Sequence, residues 1–145
     1  MFYKMITNKR DQWLASSRCT VRDTIKYIQT KDQMRDAQID AIKTYLFLKI
    51  AYGCAPLSEL FRQGAFNTLA LDEIELSLKV RNYLLENPAA AALLEYARLK
   101  NDAGDQVSET LEKQMRTEPE SIDYDKFFTD AFYGVTYTDY LFSLP

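Results

Sequence analysis

The 145-residue sequence contains no histidine, only two cysteines, four glycines and four prolines. Without histidine there can be no Ser-His-Asp triad, no HExxH zinc site and no Cys-His nucleophile pair. Two isolated cysteines, Cys19 and Cys54, exclude a disulfide-dense scaffold and every CxxC-type zinc or redox centre. So few glycines and prolines argue against an all-β domain, which needs turn residues every few positions. Long apolar runs are missing too. The most apolar stretch, Tyr45 to Ala51, is interrupted by Lys49, so nothing is expected to span a membrane. The first residues, Met1 to Trp13, lack the apolar core and small-residue cleavage site of a signal peptide. These absences imply a cytoplasmic chain whose two thiols serve as small core hydrophobes.

What is present is a core-forming composition with 47% apolar and 13% aromatic residues. Charge is divided unevenly. Residues 1–31 carry seven Lys or Arg against Asp11 and Asp23, net +5, and the remainder is net −8. A basic segment of this kind either forms solvated helix faces or meets an acidic partner such as nucleic acid. The solvated reading is favoured, because no basic cluster carries interleaved aromatics in the linear sequence.

Helical periodicity dominates. Thr20 reads as an N-cap with Asp23 three residues on, followed by Val21, Ile25 and Ile28. A second helix is expected from Asp36 to Gly53. Pro56 at a first-turn position, with Leu57, Leu60 and Phe61, predicts a short helix ended by Gly64. Leu71 to Glu86 reads as one helix capped by Asp72. Asn87-Pro88 then opens an alanine-rich helix to about Lys100. Gly104 and Asp105 interrupt it, and Val107, Leu111 and Met115 mark another amphipathic helix. Residues 118–121 (EPES) read as a linker, and Ser121 or Asp123 caps a last helix carrying Phe127, Phe128 and Phe132 to Gly134. The final eleven residues are β-branched and aromatic, strand-like over Tyr140 to Leu144. The expected fold is therefore mainly α, a multi-helix bundle with a short C-terminal strand-like segment.

Two segments carry a resemblance. Met34 to Ile42 (MRDAQIDAI) places Arg35 and Gln38 one turn apart near a helix start, with Ala41 and Ile42 on the buried face. It resembles the segment that precedes the phosphate loop in superfamily-2 helicases and translocases. That family carries an aromatic or a histidine before its glutamine, where this chain has Ala37. The resemblance implies that Gln38 reads adenine through its amide, which donates and accepts on one edge, and that Arg35 matches the family's arginine. Tyr27 and Trp13 are the candidate stacking partners. Tyr140 to Pro145 (YLFSLP) is similar to the first strand of a RecA-like core, which runs into a G-x-G-K-T loop that cradles phosphates.

The resemblance implies the N-terminal region of a helicase such as the Res subunit of type III restriction enzymes. It divides the chain into a helix pair over 20–53, a helical insertion over 56–134 and the start of a truncated RecA-like core over 135–145. ATP and Mg²⁺ would belong to the full-length protein and no cofactor to this chain alone. The implied partners are DNA, the RecA-like motor domains and a modification subunit, with no membrane contact. A competing reading is a free-standing helical adaptor that docks a partner through its C-terminal strand.

Other segments read as structural. Asp72-Glu73 superficially matches a magnesium-binding DExx box, but no phosphate loop precedes it. The acids from Asp102 to Asp125 fit no EF-hand spacing and read as solvated surface. The aromatics Tyr124, Phe127, Phe128, Phe132 and Tyr133 read as core or as a docking face. Because the phosphate loop and its metal-binding acid are both absent, this chain is expected to hydrolyse no ATP, checked as phosphate release at the buffer background.

Overall fold

The computed structural model describes residues 2–31 and 34–132. Among them the backbone forms eight α-helices and two 3-10 turns, a mainly α bundle with no strand. The strand-like Tyr140 to Leu144 and the expected helix end at Gly134 lie outside the described residues.

Helix α1 (Phe2–Leu14) has no counterpart in the periodicity reading, because Lys9 and Arg10 break its apolar stripe. The helix nevertheless buries Met5, Ile6, Arg10 and Trp13 on one face. Arg10 can be buried because it is fully engaged. Its guanidinium donates to Thr44 Oγ1 at 3.0 Å and to Asp11 Oδ1 at 2.9 Å, with Asp40 Oδ1 at 3.9 Å. Helix α2 (Arg22–Lys31) begins two residues beyond the expected Thr20 cap. Its first carbonyl is that of Val21, which accepts from the Ile25 N–H at 3.0 Å. The Arg22 side chain reaches back to the Leu14 and Ser16 carbonyls and secures the turn after α1.

Helix α3 (Asp36–Tyr52) runs as expected and ends at Gly53, whose φ of 61° is the left-handed conformation that terminates helices. Cys54 follows with φ 57° and is exposed, which corrects its assignment to the core; only Cys19 is buried. Helix α4 (Leu57–Arg62) follows Pro56 and buries Leu57, Leu60 and Phe61. Gly64 then makes a turn that no other residue fits. Its φ is +75°, and an added Cβ would lie 2.8 Å from Asn67 Nδ2 and from Pro88 Cβ.

The single helix expected over Leu71 to Glu86 is instead a 3-10 turn (Leu71–Glu73) followed by α5 (Leu78–Glu86). Ile74 separates the two: it is extended and buried, so the chain leaves the helix to place it in the core. Asp72 is therefore not a cap. Ser77 caps α5, its hydroxyl accepting from the Val80 N–H at 3.3 Å. Pro88 opens α6 (Pro88–Arg98) as expected, but the Asn87 side chain does not cap it. That amide donates to the Tyr83 carbonyl at 2.8 Å and closes the end of α5.

Seven of the eleven α6 residues are buried. Four of these are alanines, Ala90, Ala91, Ala92 and Ala97, whose small side chains let α4, α5 and α7 all pack on this one helix. Helix α7 (Glu109–Thr117) is capped by Ser108 and α8 (Tyr124–Ala131) by Asp123. The expected linker at 118–121 is structural. It holds the 3-10 turn Pro119–Ser121, with Pro119 buried and its carbonyl accepting from the Tyr124 hydroxyl. One hydrophobic cluster runs from Met5 in α1 to Phe128 in α8 and draws on every helix except α2.

Glu95 is the buried acid of this core. Its carboxylate accepts from the Thr68 and Leu69 N–H groups, each at 2.7 Å, and from the Thr68 hydroxyl at 3.3 Å. It thereby holds the 65–70 loop against α6. Replacing Glu95 with Ala orphans two backbone donors and is expected to cost about 3 kcal/mol in a urea titration. Faster amide exchange should be confined first to Thr68 and Leu69. Glu95→Gln keeps one acceptor and should lose less.

Candidate functional site

Arg35 and Gln38 do come together at the start of α3, and both are exposed. Arg35 is the N-cap residue, with extended φ and ψ of −71° and 153°. Its N–H donates to Gln38 Oε1 at 2.9 Å, and its carbonyl accepts from the Gln38 N–H at 3.0 Å. This is the return half of a capping box, in which an N3 glutamine satisfies a backbone donor at the helix start. Gln38 therefore has a structural task that R-x-x-Q spacing alone does not reveal. Its Nε2 donates to no group among the described residues, and neither does the Arg35 guanidinium.

Of the two stacking candidates, Tyr27 is 62% exposed on α2 and Trp13 only 7% exposed. The Trp13 indole packs on Phe47 with ring centroids 5.6 Å apart. Phe47 lies nine residues beyond Gln38 on α3, roughly 13 Å along the axis at the rise of an α-helix. A base held by the Gln38 amide could not also reach Trp13, which is buried against Phe47 instead.

A concave region lies between α1 and the C-terminal half of α3. It has a volume of about 500 Å³. Lys9, Gln12, Trp13 and Ser16 form one wall, Phe47, Ile50, Ala51 and Tyr52 the other, and Arg18 from the turn after α1 also lines it. Nothing in the linear sequence links these residues, though Lys9, Gln12, Trp13 and Ser16 share the three- and four-residue spacing of one helix face. The walls are fixed from outside. Tyr52 donates its hydroxyl to the Ala65 carbonyl at 2.8 Å, and Lys9 donates to the Asn67 carbonyl at 3.2 Å. Burial pushes the Tyr52 hydroxyl above its ordinary pKa, opposed by the positive charge of Arg18.

The remaining acids form no such site. Glu112 lies half-buried between Arg98 and Arg116, at 3.4 and 3.5 Å, while Asp102, Asp105 and Glu109 are exposed. Among the described residues no three potential metal ligands cluster, and no helix is long and apolar enough to cross a membrane. Asp72 and Glu73 sit in the 3-10 turn rather than at a strand end. Phe128 is fully buried, with Phe127, Phe132 and Tyr124 packed around the same core.

No family model matches this chain, and no curated protein or solved structure does.

The two halves of the Gln38 amide can be separated by substitution. Gln38→Glu keeps the oxygen that accepts from Arg35 and should leave the urea midpoint unchanged. Gln38→Ala removes the cap and is expected to cost about 0.5–1 kcal/mol.

Proposed function

We propose that this chain is an N-terminal helical region of a superfamily-2 DNA helicase or restriction-type translocase. Gln38 with Arg35 contributes to adenine recognition, and the helices from Pro56 onward make accessory contacts to DNA or a partner subunit. The observation that carries this reading is the exposed Arg35–Gln38 pair at the start of α3, with YLFSLP following at Tyr140 to Pro145 in the order the family uses.

The capping role of Gln38 is compatible with base recognition. One lone pair of Oε1 holds the Arg35 N–H. The Nε2 donor and the second lone pair remain for the edge of an adenine. Capping also fixes the amide before a base arrives, which lowers the ordering cost of recognition. In the complete enzyme the phosphate loop and its acid would hold ATP and Mg²⁺. This chain supplies base contacts and a helical platform beside them.

The test begins with the coding sequence beyond the Pro145 codon. An open frame encoding G-x-G-K-T supports the helicase reading; a stop codon overturns it and leaves the adaptor reading. In the protein carrying that loop, Gln38→Glu should raise the KM for ATP about tenfold with the fold intact, the loss expected for one hydrogen bond. An unchanged KM removes Gln38 from adenine recognition.

A further inference from the structure

We propose that the α1–α3 cleft is a binding site for a single nucleotide unit, a planar heteroaromatic base carrying a phosphate. The site is separate from Gln38 and the inference does not depend on the helicase reading.

The argument starts from charge. The cleft is lined by two cations, Lys9 and Arg18, and by no carboxylate, in a chain whose formal net charge is −3. Most other nearby cations are already committed. Arg10 is held by Asp11, Asp40 and Thr44, and Arg22 by the Leu14 and Ser16 carbonyls. Arg18 has no side-chain hydrogen bond or ion pair among the described residues, so its planar fork remains open to a bidentate anion. Lys9 is steadied by one bond to Asn67 and keeps two donors. Two cations at one cleft with no acid between them lower the energy of an anion placed there, and the concave wall strengthens their field.

The rest of the lining selects what the anion is attached to. Tyr52 and Ile50 give the open apolar surface for a flat ring, backed by Trp13 and Phe47, which are only 7% and 1% exposed. The rings are mutually braced, with Phe47 5.6 Å from Trp13 and 5.3 Å from Tyr52. Gln12 is exposed at the lip and offers an amide with both a donor and an acceptor, which suits a heterocycle edge better than a bare hydrocarbon. The volume of about 500 Å³ lies within the ~300–1,000 Å³ range of small-molecule sites. The walls are preformed: Arg10 fastens α1 to α3, and Tyr52 is tied to Ala65. Free mononucleotides and the nucleotides of a single strand share this chemistry, and the experiment separates them.

Trp13 is the only tryptophan in the chain, so its fluorescence reports this cleft alone. The full chain is titrated with deoxyadenosine monophosphate, a short oligo-deoxyadenylate, deoxyadenosine and inorganic phosphate, with calorimetry in parallel. Saturable quenching is expected with the monophosphate or the oligomer, and binding at least about tenfold weaker with the nucleoside or phosphate alone. Tighter binding by the oligomer identifies a strand as the source; equal binding identifies the free nucleotide. Arg18→Gln and Lys9→Gln, which remove side chains outside the core, should each weaken binding about tenfold, whereas Lys113→Gln, which removes an exposed cation of α7 outside the cleft lining, should leave it unchanged. The proposal is overturned if neither nucleotide ligand gives quenching or heat. It is equally overturned by quenching that survives Arg18→Gln, or by deoxyadenosine binding as tightly as its phosphate.

Discussion

The Phe61 ring is the contact on which the bundle depends. It lies 5.0 Å from Phe2, 4.9 Å from Phe66, 5.9 Å from Phe128 and 5.1 Å from Phe132. Those four neighbours come from α1, the loop after α4, α8 and the residue that ends α8. A six-residue helix has little intrinsic stability, so α4 persists because its one buried aromatic is shared by both ends of the described chain. The Ala-rich face of α6 supports this arrangement from beneath, since small side chains allow three other helices to approach it closely.

A different interaction sets the other end of the molecule. Arg10 is almost fully buried and joins α1 to α3 through Thr44 and the Asp40 carbonyl. A buried guanidinium is tolerated only when its donors are satisfied, and loss of one partner is far more costly than the pair itself is stabilising. The two helices are therefore held at a fixed separation near Arg10. Beyond it, Trp13, Phe47 and Tyr52 line the walls of the α1–α3 cleft. The same buried charge that interrupts the apolar stripe of α1 thus fixes the geometry of the cleft.

Local chemistry made much of the bundle legible. Gly53 ended α3, Pro88 opened α6 and Asp123 capped α8 as their residue types require. Legibility failed where a residue's environment outweighed its type. Lys9 and Arg10 concealed α1, because a buried, fully bonded arginine looks identical in sequence to a solvated one. Ile74 split a continuous apolar repeat into two elements, since burying it required extended backbone. The segment at Glu118 to Ser121 had linker composition, yet Pro119 packs inside the structure. At the candidate site, the proximity of Arg35 and Gln38 was readable from helical spacing, but the capping bond that occupies half the glutamine amide was not.

The sequence by itself determined the mainly helical class, most helix starts and stops, and the exclusion of histidine-dependent triads and of HExxH and CxxC motifs. These depend on residue types and on contacts three or four positions apart. Tertiary structure alone decided that Lys9, Arg18 and Tyr52 face one cleft and that Glu95 holds the 65–70 loop. It also decided that Cys54 is exposed while Cys19 is buried. Each of those outcomes rests on groups far apart in the chain, whose meeting depends on how the helices pack rather than on any local pattern.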